Sequence, residues 1–180
     1  IRRNQYYLIV GRFVPENNYE TMITEFMRSN ASKDLVIVTN VEKNKFYDAL
    51  LKKTGFDKDK RIKFVGTVYE QELLKKIREE AYGYIHGHEV GGTNPSLLEA
   101  LASTRINLLL GVGFNKEVGE DGAFYWSKEK GNLAALLEKA ETLTEAVIQE
   151  KNALSTKRVL DWYSWEKICW EYERTWHTFK

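Results

Sequence analysis

Five short apolar runs, Tyr6 to Val10, Leu35 to Val38, Ile62 to Val65, Tyr82 to Ile85 and Ile106 to Leu110, alternate with segments of helical spacing at Tyr19 to Met27, Lys45 to Lys53, Gln71 to Glu80 and Pro95 to Ser103. Runs that are apolar almost throughout, with a helix between each and the next, predict a parallel sheet covered by helices on both faces. The expected class is therefore α/β, with a Rossmann-like sheet. Such sheets bind ligands beyond the carboxyl ends of their strands, so Gly11-Arg12, Thr39-Asn40, Gly66-Thr67 and the loop from His86 to Pro95 are expected to share one rim. After Gly113 the pattern continues through a short apolar piece, Ala123 to Trp126, and helical runs at Leu133 to Lys139 and Glu145 to Ser155. A tail follows in which Trp165, Ile168 or Cys169, Tyr172 and Trp176 form one helical stripe, with Ser164 as its cap. This divides the chain into a domain at 1–160 and a C-terminal aromatic docking helix at 161–180, with Trp162 and Trp170 off the stripe and facing a neighbour.

The richest loop lies between the fourth apolar run and the fourth helix: His86-Gly87-His88-Glu89-Val90-Gly91-Gly92-Thr93-Asn94-Pro95. Asn94 is expected to cap the helix, Pro95 suits its first turn, and Leu97, Leu98 and Leu101 give it an apolar face. Gly91 and Gly92 put no side chain between the backbone amides and an incoming group, so the loop is suited to an anion at the positive end of a helix. Lysine and arginine total 27 against 26 acidic residues in 180, so attraction of an anion must be local, and no nucleic-acid partner is expected. With 43% hydrophobic residues the chain can bury a sizeable core. Cys169 is the lone cysteine, excluding an internal disulfide and a cysteine-built zinc site and fitting a reducing compartment. His86 and His88 flank Gly87; alternation along a strand is expected to keep them from forming a metal site, and no third histidine is nearby. The apolar runs are too short to cross a bilayer and no signal peptide is expected, so the cytoplasm is the expected compartment. The beginning at Ile1 reads as a cut.

The order Leu8-Ile9-Val10-Gly11-Arg12-Phe13-Val14-Pro15-Glu16-Asn17-Asn18, then Arg61-Ile62-Lys63-Phe64-Val65-Gly66, then Pro95-Ser96-Leu97-Leu98-Glu99-Ala100, then Tyr163-Ser164-Trp165-Glu166-Lys167 resembles the C-terminal half of retaining glycosyltransferases of the two-domain GT-B fold. Within that group, Gly87-His88 followed by Val90 to Glu99, with the later Val112 to Gly119, looks most like bacterial rhamnosyltransferases that build surface polysaccharide. The resemblance implies a nucleotide-sugar donor, dTDP-rhamnose first and UDP- or GDP-sugars as alternatives, and a glycan or lipid-linked glycan acceptor. It further implies an N-terminal acceptor domain absent from this chain, and association of the full-length enzyme with the inner face of the membrane. No cofactor and no metal are implied.

Carried over residue by residue, the resemblance makes Arg12 the catalytic arginine aimed at the donor diphosphate, where a guanidinium can fork onto phosphate oxygens and offset the charge of the departing nucleotide. Many members carry a lysine where this chain has Asn17, which leaves fewer positive charges on the diphosphate. Gly66, Thr67 and Val68 correspond to backbone that meets the nucleotide base, and Gly91, Gly92, Thr93 and Asn94 to the diphosphate loop. Glu99 matches the carboxylate that holds the donor ribose; the first glutamate of that paired motif falls on Gly91 and is missing. His86, His88 and Glu89 are the candidates for contact with the transferred sugar, Glu89 being out of register with the motif. Tyr69 is expected to cap packing. Asn115, Lys116 and Glu117 resemble a further donor-side loop or the start of a short helix. A non-catalytic nucleotide-binding or interaction module with a Rossmann-like fold is the alternative, although the first strand lacks the Gly-x-Gly-x-x-Gly turn of dinucleotide binders.

Overall fold

A computed structural model describes residues 2–90 and 94–164. Six strands, β1 (Tyr6–Val10), β2 (Asp34–Val38), β3 (Ile62–Phe64), β4 (Gly83–His86), β5 (Ile106–Leu110) and β6 (Phe124–Trp126), form one all-parallel sheet in the order β3-β2-β1-β4-β5-β6. The helices are α1 (Tyr19–Arg28), α2 (Lys45–Thr54), α3 (Gln71–Glu80), α4 (Pro95–Ser103), α5 (Gly113–Gly119), α6 (Asn132–Glu141) and α7 (Glu145–Tyr163). The Rossmann-like sheet is thus present, with a sixth strand in the short apolar piece after α5.

Period-two alternation along the strands supplies two apolar faces. Tyr7, Ile9, Leu35, Ile37, Ile85 and Leu108 pack with Ile23 and Phe26 of α1 and Leu133 and Leu137 of α6. Tyr6, Leu8, Val36 and Tyr84 face the other way, onto Ala100 of α4 and Leu74 and Ile77 of α3, while Leu109 meets Leu97, Leu101 and Val118 from α4 and α5. Two carboxylates, one buried and one half-buried, tie the first face together. Glu25 of α1, 3% exposed, accepts from the backbone N–H of Gly131 (3.0 Å) and Ala134 (3.2 Å), so it satisfies otherwise unpaired donors at the start of α6. Glu141 at the far end of α6 accepts from the backbone of Ser32 and Lys33.

The last helix runs longer than its spacing suggests. α7 passes Ser155 and the expected boundary at 160 without a break, and ends at Ser164, whose backbone is extended. Val159 and Tyr163 pack onto the cluster of α4 and α5, and this burial extends the helix. The aromatic stripe from Trp165 onward lies outside the described residues. Trp162 is 57% exposed, with the Arg158 guanidinium 4.8 Å above its ring. Among the described residues no helix is long and apolar enough to cross a membrane.

Candidate functional site

The chain moves outward from β1 to β3, then returns to the other side of β1 at β4, so the connections diverge at the carboxyl ends of these two neighbours. A crevice is expected at this switch point. A cleft of about 210 Å³ lies there, lined by Arg12 and Asn17 from the loop after β1, His86 and His88 from the end of β4, and Asn94 and Ser96 from the start of α4. Asn94 caps α4, its Oδ1 accepting from Leu97 N–H at 3.4 Å with Pro95 in the first turn. Gly91, Gly92 and Thr93 lie outside the described residues.

Two adjacent asparagines shape the β1 side. Asn18 sits in the left-handed region (φ 56°), which asparagine tolerates, and its Nδ2 donates to the Gly87 carbonyl at 2.7 Å. That bond pins the turn at Pro15–Asn17 against the end of β4. The approach is so close that a Cβ on Gly87 would stand 2.5 Å from the Asn17 carbonyl oxygen, so glycine is required there for space. Asn17 donates from Nδ2 to the Arg12 carbonyl (2.8 Å) and meets His88 Nδ1 with Oδ1 (2.8 Å). Arg12 is exposed, and its guanidinium has no ion-pair partner among the described residues.

The β4 side is a column of rings. Tyr84, His86 and His88 are two residues apart and share one side, with centroid separations of 5.8 Å and 6.0 Å. This corrects the expectation from alternation: residues two apart face the same way. His86 Nδ1 lies 3.4 Å from the Tyr84 hydroxyl, while its Nε2 is buried without a partner among the described residues. Burial, aided by His88, pushes the His86 ring down to about 3, so it is neutral at the floor of the cleft. His88 is held from behind by Asn115 of α5, whose Nδ2 donates to the His88 and Leu110 carbonyls at 3.0 Å each. Glu89 turns aside to an ion pair with Lys128; this contact, then one with Asn18, holds its carboxyl below the usual range. Among the described residues no group of three histidine, cysteine, aspartate or glutamate side chains is placed to hold a metal ion.

The other sequence-derived positions lie outside this cleft. Gly66, Thr67 and Val68 follow β3 on the same rim; Gly66 has φ 75° and open space around it, and its carbonyl accepts from Thr39 N–H at 3.1 Å. Val68 packs inward with the α3 cluster, whereas Tyr69 is 84% exposed and caps nothing. Glu99 faces the groove between α3 and α4, with its Oε2 2.5 Å from Nη2 of Arg78, whose side chain is 4% exposed. Lys116 and Glu117 are exposed on α5. Asn18, Tyr84, Arg78 and Lys128 are missed by the sequence reading. Only the Asn17-Asn18 pair before a helix, a turn signature, offered a signal for one of them.

No family model matches the chain, and no curated protein matches it. Solved structures do. Sucrose-phosphate synthase from Thermosynechococcus elongatus superposes with a TM-score of 0.81 at 17% identity over 98% of this chain and 45% of that one. HepE from Anabaena, solved in complex with UDP, gives 0.68 at 14% over 87% and 45%. The C-terminal domain of a group 1 family glycosyl transferase, LpcC, from Francisella tularensis gives 0.69 at 14% over 91% of this chain and 89% of that domain. The chain spans about half the length of the two longer proteins and nearly all of the isolated C-terminal domain. Its fold is that of a GT-B C-terminal domain.

Proposed function

We propose that this chain is the donor-binding half of a glycosyltransferase, holding a nucleoside diphosphate sugar with its diphosphate at Arg12 and the loop from Gly91 to Asn94. One observation carries the reading: an exposed arginine without an ion-pair partner among the described residues lines the cleft at the switch point of the sheet. Such a guanidinium is available to pair with phosphate oxygens and to offset charge on a departing nucleotide. About 210 Å³ accommodates a diphosphate but is small for an entire nucleotide sugar. The donor would extend along the rim toward Gly66, Thr67 and Val68 and be covered by an N-terminal acceptor domain that closes the site.

Within this reading, transfer proceeds with retention, rhamnose from dTDP-rhamnose is the favoured sugar, and a surface glycan or lipid-linked glycan is the acceptor, on the cytoplasmic side of a membrane. The sequence resemblance supports these finer assignments; UDP, bound by HepE, is the first alternative nucleotide. His86 and His88 border the space for the donor sugar or its diphosphate. Glu99 serves the ribose only if its carboxylate shares itself between Arg78 and the sugar hydroxyls.

The test is calorimetric titration of the folded chain with dTDP, UDP, GDP and NAD in the presence of chelator. A nucleoside diphosphate is expected to bind and NAD not to. Replacing Arg12 with Ala is expected to weaken the diphosphate by about 1.5–3 kcal/mol, the size of a charge-assisted contact, and the nucleoside much less. Absence of any nucleotide binding at millimolar concentration rejects the reading.

A further inference from the structure

Hydrogen-bond donors and acceptors around Asn17 leave one consistent arrangement. The Arg12 carbonyl can only accept, so the amide nitrogen of Asn17 faces it at 2.8 Å and the amide oxygen faces His88 at 2.8 Å. An amide oxygen can only accept as well. His88 Nδ1 therefore carries a hydrogen, and in the neutral ring Nε2 is the basic nitrogen. Nε2 is not among the buried unpartnered atoms, and the ring lines the same cleft as Arg12. Asn17 thus links Arg12 and His88 through two hydrogen bonds in series and fixes the ring edge that can take a proton.

We infer that His88 is a proton-gated second cation of the donor site: it takes a proton at Nε2 when a diphosphate enters, and the resulting imidazolium pairs with the phosphate oxygens beside Arg12. This rests on the donor-site reading above. The groups around the ring favour it. From β4 and its extension, His86 is neutral by burial, and the Glu89 carboxylate, engaged by Lys128, also faces the His88 ring as a nearby negative charge. From the loop after β1 come Arg12 and the uncharged Asn17, which line the same cleft. From α5, Phe114 meets the ring edge-on at 6.1 Å and Asn115 holds its backbone, with Lys116 and Glu117 exposed beyond. From α4 only the uncharged Asn94 and Ser96 reach the cleft. An entering dianion attracts a protonated ring beside it, so protonation and binding favour each other.

The experiment uses dTDP-glucose and UDP-glucose as probes, because a free nucleoside diphosphate has a terminal phosphate that itself titrates near pH 6. Binding to the 180-residue chain is measured by calorimetry at neutral pH in buffers of different ionisation enthalpy, and again from about pH 6 to about pH 8.5. The expected result is uptake of a fraction of a proton per ligand, and an affinity that falls about threefold to tenfold as pH rises across that range. His88→Gln abolishes the uptake and flattens the profile at the weak end. His88→Lys, a permanent cation, flattens it at the strong end. Binding without proton uptake, or uptake that survives in His88→Gln, overturns the inference while leaving the donor site in place. Failure of every nucleotide sugar and every nucleoside diphosphate to bind overturns both.

Discussion

The neutral ring of His86 gives the fold a stability that depends on pH in a defined window. His86 is 4% exposed, with Tyr84 and His88 beside it, and burial depresses it from 6.5 to about 3. The folded state binds fewer protons than the unfolded state below pH 6.5, so stability is highest at neutral pH and falls as pH drops toward the folded value. From about pH 7 to about pH 5 the unfolded imidazole goes from roughly one quarter to almost fully protonated while the folded ring stays neutral, which integrates to a loss of about 2 kcal/mol. The carboxylates held low do not confuse this window. Asp59, through Arg61, Glu89, through Lys128, and Glu141, whose burial is outweighed by hydrogen bonds from Ser32 and Lys33, lose their contribution only below the ordinary 3.8 and 4.5. Urea unfolding at the two pH values reads the effect directly: at a slope of about 2 kcal/mol/M the midpoint moves down by roughly 1 M. His86→Gln, which cannot titrate, is expected to be nearly flat over the same range. A wild-type midpoint that does not move, or a variant that moves equally, refutes the account.

Gly87→Ala is expected to destabilise the chain by about 1–3 kcal/mol and to weaken dTDP binding, because the new Cβ meets the Asn17 carbonyl at 2.5 Å; calorimetry and urea unfolding check both. Glu25→Gln keeps the shape but removes the charge that accepts from Gly131 and Ala134; a loss of about 1–2 kcal/mol in urea with unchanged dTDP affinity is expected. Asn107 is fully buried in β5 with neither amide atom paired among the described residues, so Asn107→Leu is expected to raise stability by about 1 kcal/mol or more, measured by the same unfolding. Glu99→Gln strips the counter-charge from buried Arg78 and is expected to cost about 1–2 kcal/mol of stability even without ligand; if Glu99 also holds the ribose, UDP weakens by about 1–3 kcal/mol and pyrophosphate less.

What the sequence makes legible is periodic and local. Leu35 to Val38 are apolar at successive positions, and Ile106 to Leu110 at all but Asn107, because both faces of the sheet are covered, and such runs read directly as buried parallel strands. The cap at Asn94 and Pro95 is equally local, and the start of α4 follows it. The sixth strand, Phe124–Trp126, falls in the short apolar piece through which the pattern is expected to continue. It is a strand only because Leu108 to Leu110 lie beside it in register. α7 runs past its expected end at Ser155, since of its apolar positions beyond that residue Leu160 and Trp162 are exposed, and packing of Val159 and Tyr163 carries it onward.

The cleft that forms the candidate site is legible in position and illegible in wiring. Strand ends announce Arg12, His86 and His88, because the topology rule needs only the order of elements. Contacts between them span the chain: Asn18 meets Gly87, 69 residues away, and His88 meets Asn17 across 71. Arg78, set among charged neighbours on a helix, reads as a solvated side chain, yet it is 3% exposed because α3 lies against α4 and Glu99 closes over it. The same placement changes what Glu99 can be asked to do, since a carboxylate engaged by a buried guanidinium is available to a ribose through only part of its lone-pair capacity. Asn17 shows the converse. By resemblance it marks a missing cation, whereas in three dimensions it is the amide that orients His88, so the charge absent from one side chain can be recovered from another that the sequence places far away.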